Sequence, residues 1–212
     1  AGSLYSNTTS NLNTAVGVDI LYTNTTGSAN TATGFNALYS NTTGSNNTAT
    51  GFSALYSNST GIENTAIGNN ALHNLTGSNN IGIGSGAGSA ISSGDNNVIL
   101  GGNSGASIDG LSNFMLFSDG AGNERFRVND SGYMGVGTTS PGSKLDVNGA
   151  ITSSTAGGGV MYAGNYSGAG NYGVMRFTNS TGSALADFGQ DTSAGAVVGA
   201  GAYASFFCSH SS

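Results

Sequence analysis

Residues 30–46 read Asn30-Thr31-Ala32-Thr33-Gly34-Phe35-Asn36-Ala37-Leu38-Tyr39-Ser40-Asn41-Thr42-Thr43-Gly44-Ser45-Asn46. Residues 47–63 nearly repeat them, from Asn47-Thr48-Ala49-Thr50-Gly51 through Leu55-Tyr56-Ser57-Asn58 to Gly61-Ile62-Glu63. The pattern extends both ways. Its anchor, Asn-Thr-Ala-x-Gly, starts at Asn13, Asn30, Asn47 and Asn64, with apolar variants at Asn80 and Asn97. Each step is 17 residues except the 16 between Asn64 and Asn80. Leu4, Leu21, Leu38, Leu55 and Leu72 form a second column, and Tyr5, Tyr22, Tyr39 and Tyr56 a third, continued by His73. A turn column holds Asn7, Asn24, Asn41 and Asn58, with Asn74 as its fifth member. One residue lost from that last turn explains the short step. A fixed period of this kind marks a repeat architecture.

A 17-residue unit is too short for two helices and suits two short strands and two turns. Val16-Gly17-Val18 and Ile81-Gly82-Ile83 alternate at period 2, and Asn-Thr-Thr-Gly is turn chemistry. Coils stacked about 4.8 Å apart would set Asn over Asn and Thr over Thr as polar ladders, and six would make roughly 25–30 Å of rod. Leu38 and Leu55 are expected in the core, and Thr42 is expected to face water. Each coil has little apolar side chain, so the core is thin and association is the natural remedy.

Composition agrees. Gly (37), Ser (31), Asn (26) and Thr (22) make up more than half of the 212 residues, and 7% are charged. Helical bundles and coiled coils need helix formers and charged flanks that this chain lacks. Four Lys and Arg are too few for a nucleic-acid groove. No apolar run approaches the length of a membrane span. The single Cys208 allows no internal disulfide. The chain is expected to be processed or part of a longer one.

Asn-Thr-Ala-Ile-Gly-x-x-Ala at Asn64–Ala71 and Asn97-Val98-Ile99-Leu100-Gly101 resemble the head repeats of trimeric autotransporter adhesins. The longer unit resembles repeats of tail-fibre-type proteins of bacteria and phages. Residues 126–141 (Phe126-Arg127-Val128 to Ser140-Pro141) and Lys144-Leu145-Asp146-Val147-Asn148-Gly149 resemble the connector that precedes a self-cleaving chaperone in such fibres. The match covers about residues 4–152. It implies an all-β, left-handed β-roll or β-solenoid in an intertwined homotrimer. That chaperone uses a Ser-Lys pair. The only Lys is Lys144, inside the connector motif, so the chaperone is expected to be absent from this chain.

Three segments are expected: repeats over 1–105, a β-meander connector over 106–152, and a Gly-rich β module over 153–212. In the connector, Phe114–Phe117, Glu124–Val128 and Tyr133–Gly137 read as strands, with Arg125 and Arg127 on one face of the second. In the last segment, Val160–Tyr166, Tyr172–Asn179, Ala184–Gln190 and Ala196–Phe207 read as strands.

Several motifs invite chemistry. Gly82-Ile83-Gly84-Ser85-Gly86-Ala87 fits a dinucleotide fingerprint, but it lies in repeat register without a βαβ context and reads as close backbone packing. His73 reads as a continuation of the aromatic ladder. Its one fellow, His210, makes no metal set. Asp119, Glu124 and Asp130, and Asp187 and Asp191, lack the spacing of a calcium loop or paired catalytic acids and read as turn caps. Asn7, Asn24, Asn41, Asn58 and Asn74 each begin Asn-x-Ser/Thr, as do Asn46, Asn129, Asn165 and Asn179. The column is either glycan-bearing or a turn ladder. The Tyr column either packs between subunits or stacks sugars.

The expected function is a structural and adhesive extracellular fibre, on a cell surface or a virion, with no catalysis, cofactor or metal. Its expected partners are copies of itself and surface glycans, not nucleic acid. The alternatives are a polysaccharide-degrading tailspike-like enzyme and an end-to-end polymerising filament subunit.

Overall fold

The computed structural model describes residues 2–149 and, beyond them, the strand pair at Met175–Thr178 and Ala184–Phe188. Two units divide the chain, residues 1–151 and 152–212. In the first, every anchor becomes a strand: β1 (Thr14–Val18), β2 (Thr31–Phe35), β3 (Thr48–Thr50), β4 (Thr65–Ile67), β5 (Ile81–Ile83) and β6 (Val98–Leu100). They pair in parallel with like over like, Thr31 beside Thr48 and Ala32 beside Ala49. This unit is an all-β solenoid of about six turns with ~17-residue coils.

The parallel stack runs past residue 105. β7 (Met115–Ser118) pairs in parallel with β6, and Met115 lies beside Val98. Phe114 thus stands where earlier coils have the anchor Asn. The chain then turns back: β8 (Glu124–Val128) and β9 (Met134–Val136) add antiparallel, and β10 (Leu145–Val147) adds parallel to β9. In the second unit, β11 (Met175–Thr178) and β12 (Ala184–Phe188) form an antiparallel pair. The other two strands expected there lie outside the described residues.

Each coil holds one strand, not two. The reason is conformational: three residues per coil take the left-handed region, as at Asn46, Ser53 and Leu55 (φ 59°, 50° and 51°). Such residues turn the chain, at a cost of about 1–2 kcal/mol each for a side chain with a Cβ. The backbone between them still bonds coil to coil. Leu55 N–H donates to Ala71 C=O at 3.0 Å, and Ser57 N–H to His73 C=O at 2.9 Å. Close approach also dictates Gly51, where φ is 137° and a Cβ would lie 2.3 Å from Gly68 O.

An asparagine ladder carries the polar half of the core. Asn47 Oδ1 accepts from Asn64 N–H at 2.9 Å, and Asn47 Nδ2 donates to Gly61 C=O at 2.9 Å. The same backbone-to-Oδ1 bond runs through Asn13, Asn30, Asn47, Asn64, Asn80 and Asn97 and ends on Phe114 N–H. From Asn30 onward these amides are fully buried. A buried amide with every group paired is cheap, and one left unpaired is costly.

The apolar half changes composition along the stack. Leu21, Leu38, Leu55 and Leu72 are buried over Ala32, Ala49 and Ala66. Further on, Gly88 and Gly105 take the Leu column's place, while Ile99 and Leu116 enlarge the Ala column. The place of Asn58 passes to Leu75, Ile91 and Ile108, each donating its N–H three residues back as Asn58 does to Leu55. Bulk lost at one corner is restored at another, and a Cβ on Gly88 would sit 2.6 Å from Leu72 Cδ2. Close packing requires such compensation.

This corrects two expectations. Asn74 is not in the turn column. Leu75 is, so the residue missing from the short coil falls after Leu75, and Asn74 is exposed. Asn58 Oδ1, which would have accepted the next amide, has no partner. Thr42 also does not simply face water: half-buried, it donates its hydroxyl to Ser59 C=O at 2.9 Å. Thr43 beside it is exposed.

Arg127 closes the far end of the core. Only 5% exposed, it donates to both Glu124 oxygens at 2.6 and 2.8 Å, to Thr139 C=O at 2.7 Å and to Ser107 Oγ at 2.9 Å. Its guanidinium also lies over the Phe114 ring.

Two variants grade this core. Asn47→Ala strands the Asn64 N–H, while the Gly61 C=O keeps its bond from Asn58 Nδ2. This variant is expected to cost about 1–3 kcal/mol for the orphaned group. Thr43→Ala is expected to stay within about 0.5 kcal/mol. Thermal and urea melts check both, and equal losses would contradict the ladder.

Candidate functional site

The turn asparagines are built by the ladder and not for display. Asn24, Asn41 and Asn58 are fully buried. Each donates Nδ2 to the Oδ1 of the preceding coil, as Asn41 does to Asn24 at 2.8 Å, and also to the carbonyl of its own turn glycine. A glycan would attach through that same nitrogen, which at these three positions is buried and committed to the ladder. Asn7, Asn46 and Asn74 are exposed. Asn129 Oδ1 accepts from Ser131 and Tyr133 N–H within its own turn. Asn165 and Asn179 lie outside the described residues.

The aromatic column is continuous. Tyr5, Tyr22, Tyr39, Tyr56 and His73 stack with centroids 5.0–5.2 Å apart and planes within 6° of parallel. Ring faces inside the stack are covered by neighbouring rings and offer no flat platform. Only the two ends have a face without a ring. A second, shorter stack joins Phe35 to Phe52 on the strand face.

The acidic candidates are each held by a local partner. Asp119 accepts from Ala121 and Asn123 N–H in its own turn and pairs with Arg125. Glu124 is committed to Arg127. Asp130 accepts from the Ser131 hydroxyl. The Asp187 side chain and Asp191 lie outside the described residues. Among the described residues no three His, Cys, Asp or Glu side chains gather as a metal set, and no helix is long and apolar enough to cross a membrane. No helix follows Gly82–Ala87, and a Cβ on Gly82 would lie 2.6 Å from Leu72 Cγ.

The feature unread in the sequence is a two-column apolar stripe on the outer sheet face. One column is Ile81, Val98, Met115, Val128, Met134 and Leu145. The other is Ile83, Leu100, Phe117, Phe126, Val136 and Val147. The strand registers set these residues side by side across β5–β10. All are exposed or half-buried, with Leu145 at 54% and Ile83 at 40%. The corresponding places in β2 and β3 are mostly threonines: Thr31, Thr33, Thr48 and Thr50. Each strand's alternation was the available signal, but only the register joins the strands into one face.

No family model, curated protein or solved structure matches this chain. The reading of the site therefore stands on its geometry.

The Asp119 turn yields a pH test. The Arg125 guanidinium, then Asn123, hold its carboxyl down from 3.8 to about 2. A depressed acid contributes stability that is complete above its unfolded pKa and lost as pH falls through the folded value. Melts of the protein are expected to lose this contribution between about pH 4 and pH 2, and Asp119→Asn is expected to remove that part of the dependence. An unchanged pH profile in the variant would contradict the pairing.

Proposed function

We propose that the chain is part of an extracellular structural and adhesive fibre, assembled as a homotrimer, that works through its surface without catalysis. The observation that carries this reading is the apolar stripe. Soluble monomers seldom leave a contiguous apolar face of this kind uncovered, and such faces mark interaction sites. The occupant is a second copy of this chain. The stripe's two columns run from coil to coil along the stack and contain no charge, so copies laid alongside one another present matching faces around a rotation axis. Fibre-type repeats, which the sequence resembles, associate in threes. Among the described residues, dispersed and locally paired acids such as Asp119, Glu124 and Asp130 support a non-catalytic role, because enzymes gather perturbed groups in a pocket. Repetition of weak contacts over several coils and three chains supplies avidity for surface glycans.

Native mass spectrometry and sedimentation at micromolar concentration test it. The expected mass is three times that of the 20.8 kDa chain. Ile83→Glu and Val136→Glu, on the outer face, are expected to give folded chains of single-chain mass. A monomeric wild type, or variants that remain trimeric, would overturn the assembly. Release of sugar from a host polysaccharide would overturn the non-catalytic reading.

A further inference from the structure

Two aromatic columns stop within one coil of each other, and a notch opens where they stop. The Phe35–Phe52 stack gives way to Asn69 and then Ser85 along the outer strand line. The Tyr stack ends at His73. In the next coil the hydrogen bond from Leu72 N–H to Ala87 C=O repeats that from Leu55 N–H to Ala71 C=O, so Ser89 stands where a ring would follow His73. The wide coils with Phe52 and Tyr56 are thus succeeded by a narrow one with Ser85, Gly86 and Ser89. The notch has a volume of about 360 Å³ and is lined by Asn69, Asn70, His73, Asn74, Ser85 and Ser89, with Gly86 beside them. That volume lies within the range of small-molecule sites, about 300–1,000 Å³.

The lining has a definite chemistry. It holds three amides, two hydroxyls and one flat imidazole ring, and no Asp, Glu, Lys or Arg. His73 Nδ1 is paired with Asn74 Oδ1 at 2.9 Å, and Asn74 Nδ2 is tied to Ser89 C=O at 2.9 Å. The ring is therefore held in place, which lowers the ordering cost of binding. One face of it lies on Tyr56, and the other has no ring against it.

We infer that this notch is a subsite for one residue of a neutral saccharide. The C–H face of a pyranose would lie on the free His73 face, and its hydroxyls would exchange hydrogen bonds with the amides and serines. An anion finds no fixed cation here, and an apolar ligand would strand the amides. The notch is open, so a single contact is weak and gains strength only by multiplication over chains. This inference rests on the adhesive reading and supplies it with a site.

The chain has two histidines, His73 and His210, so imidazole NMR signals report on the notch directly. The full chain is titrated with methyl glycosides of glucose, galactose, mannose and N-acetylglucosamine, and with methyl glucuronide for comparison. The expected result is a saturable shift of the His73 imidazole with at least one neutral glycoside, without a matching shift of His210. Ser89→Tyr continues the aromatic column and fills the notch. It is expected to keep the melting temperature and weaken binding about tenfold or more. Tyr5→Ala, at the other end of the stack, is expected to leave binding unchanged.

No His73 shift with any neutral glycoside, or a shift that survives Ser89→Tyr, would overturn the inference. Retention on polysaccharide-coated beads separates the two readings. Equal retention of wild type and Ser89→Tyr overturns the notch and leaves surface adhesion standing. Retention of neither overturns both.

Discussion

The backbone N–H of each anchor asparagine, donated to the Oδ1 of the anchor before it, is the bond on which the solenoid depends. It fixes the distance between coils, because the side chain must span from one coil to the next. The same amide's Nδ2 reaches the turn carbonyl that precedes the next anchor, as Asn47 reaches Gly61. One side chain therefore ties a turn and the strand start that follows it to the coil beneath. That explains a core that is half amide. Valine in these places would bury more apolar area but leave a buried backbone N–H unpaired in each coil, and that penalty offsets the gain.

Coil shape follows from the same constraint. The chain must close on itself in 17 residues while keeping the ladder in line, so it accepts left-handed residues at its corners, leucine included. Gly88 and Gly105 relieve that strain in the later coils (φ 64° and 75°), and Leu75, Ile91 and Ile108 supply the bulk that leaves with the leucine. Where Phe114 ends the ladder there is no amide to continue it, and the buried Arg127–Glu124 pair closes the core. The outer face changes in the same direction, from threonine to Ile, Val, Met and Phe. The end at which the ladder stops is thus also the end whose sheet face is apolar.

Much of the fold was legible because it is periodic. The 17-residue step, the stacking of like residues, the burial of Leu38 and Leu55, and the place of His73 in the aromatic stack all follow from spacing. The misreadings arose where spacing is silent. Asn74 fitted an Asn-x-Thr column by composition, but the backbone phase belonged to Leu75. The glycan pattern at Asn24, Asn41 and Asn58 is a true sequence match, but it carries no sign that these side chains are buried with Nδ2 committed to the ladder. The second strand expected in each coil was lost to left-handed residues, and leucine gives no local sign of adopting that conformation. The apolar stripe and the notch depend on which strands lie side by side, which one coil's sequence does not reveal.

Native-state hydrogen exchange tests the ladder most directly. The account predicts that the backbone amides of Asn30, Asn47, Asn64, Asn80, Asn97 and Phe114 are the slowest in the repeat region and exchange only with global unfolding. Turn amides such as that of Thr60 are predicted to exchange faster, through local opening. If the ladder amides exchange as fast as those turns, the asparagines do not hold the coils together and the account fails.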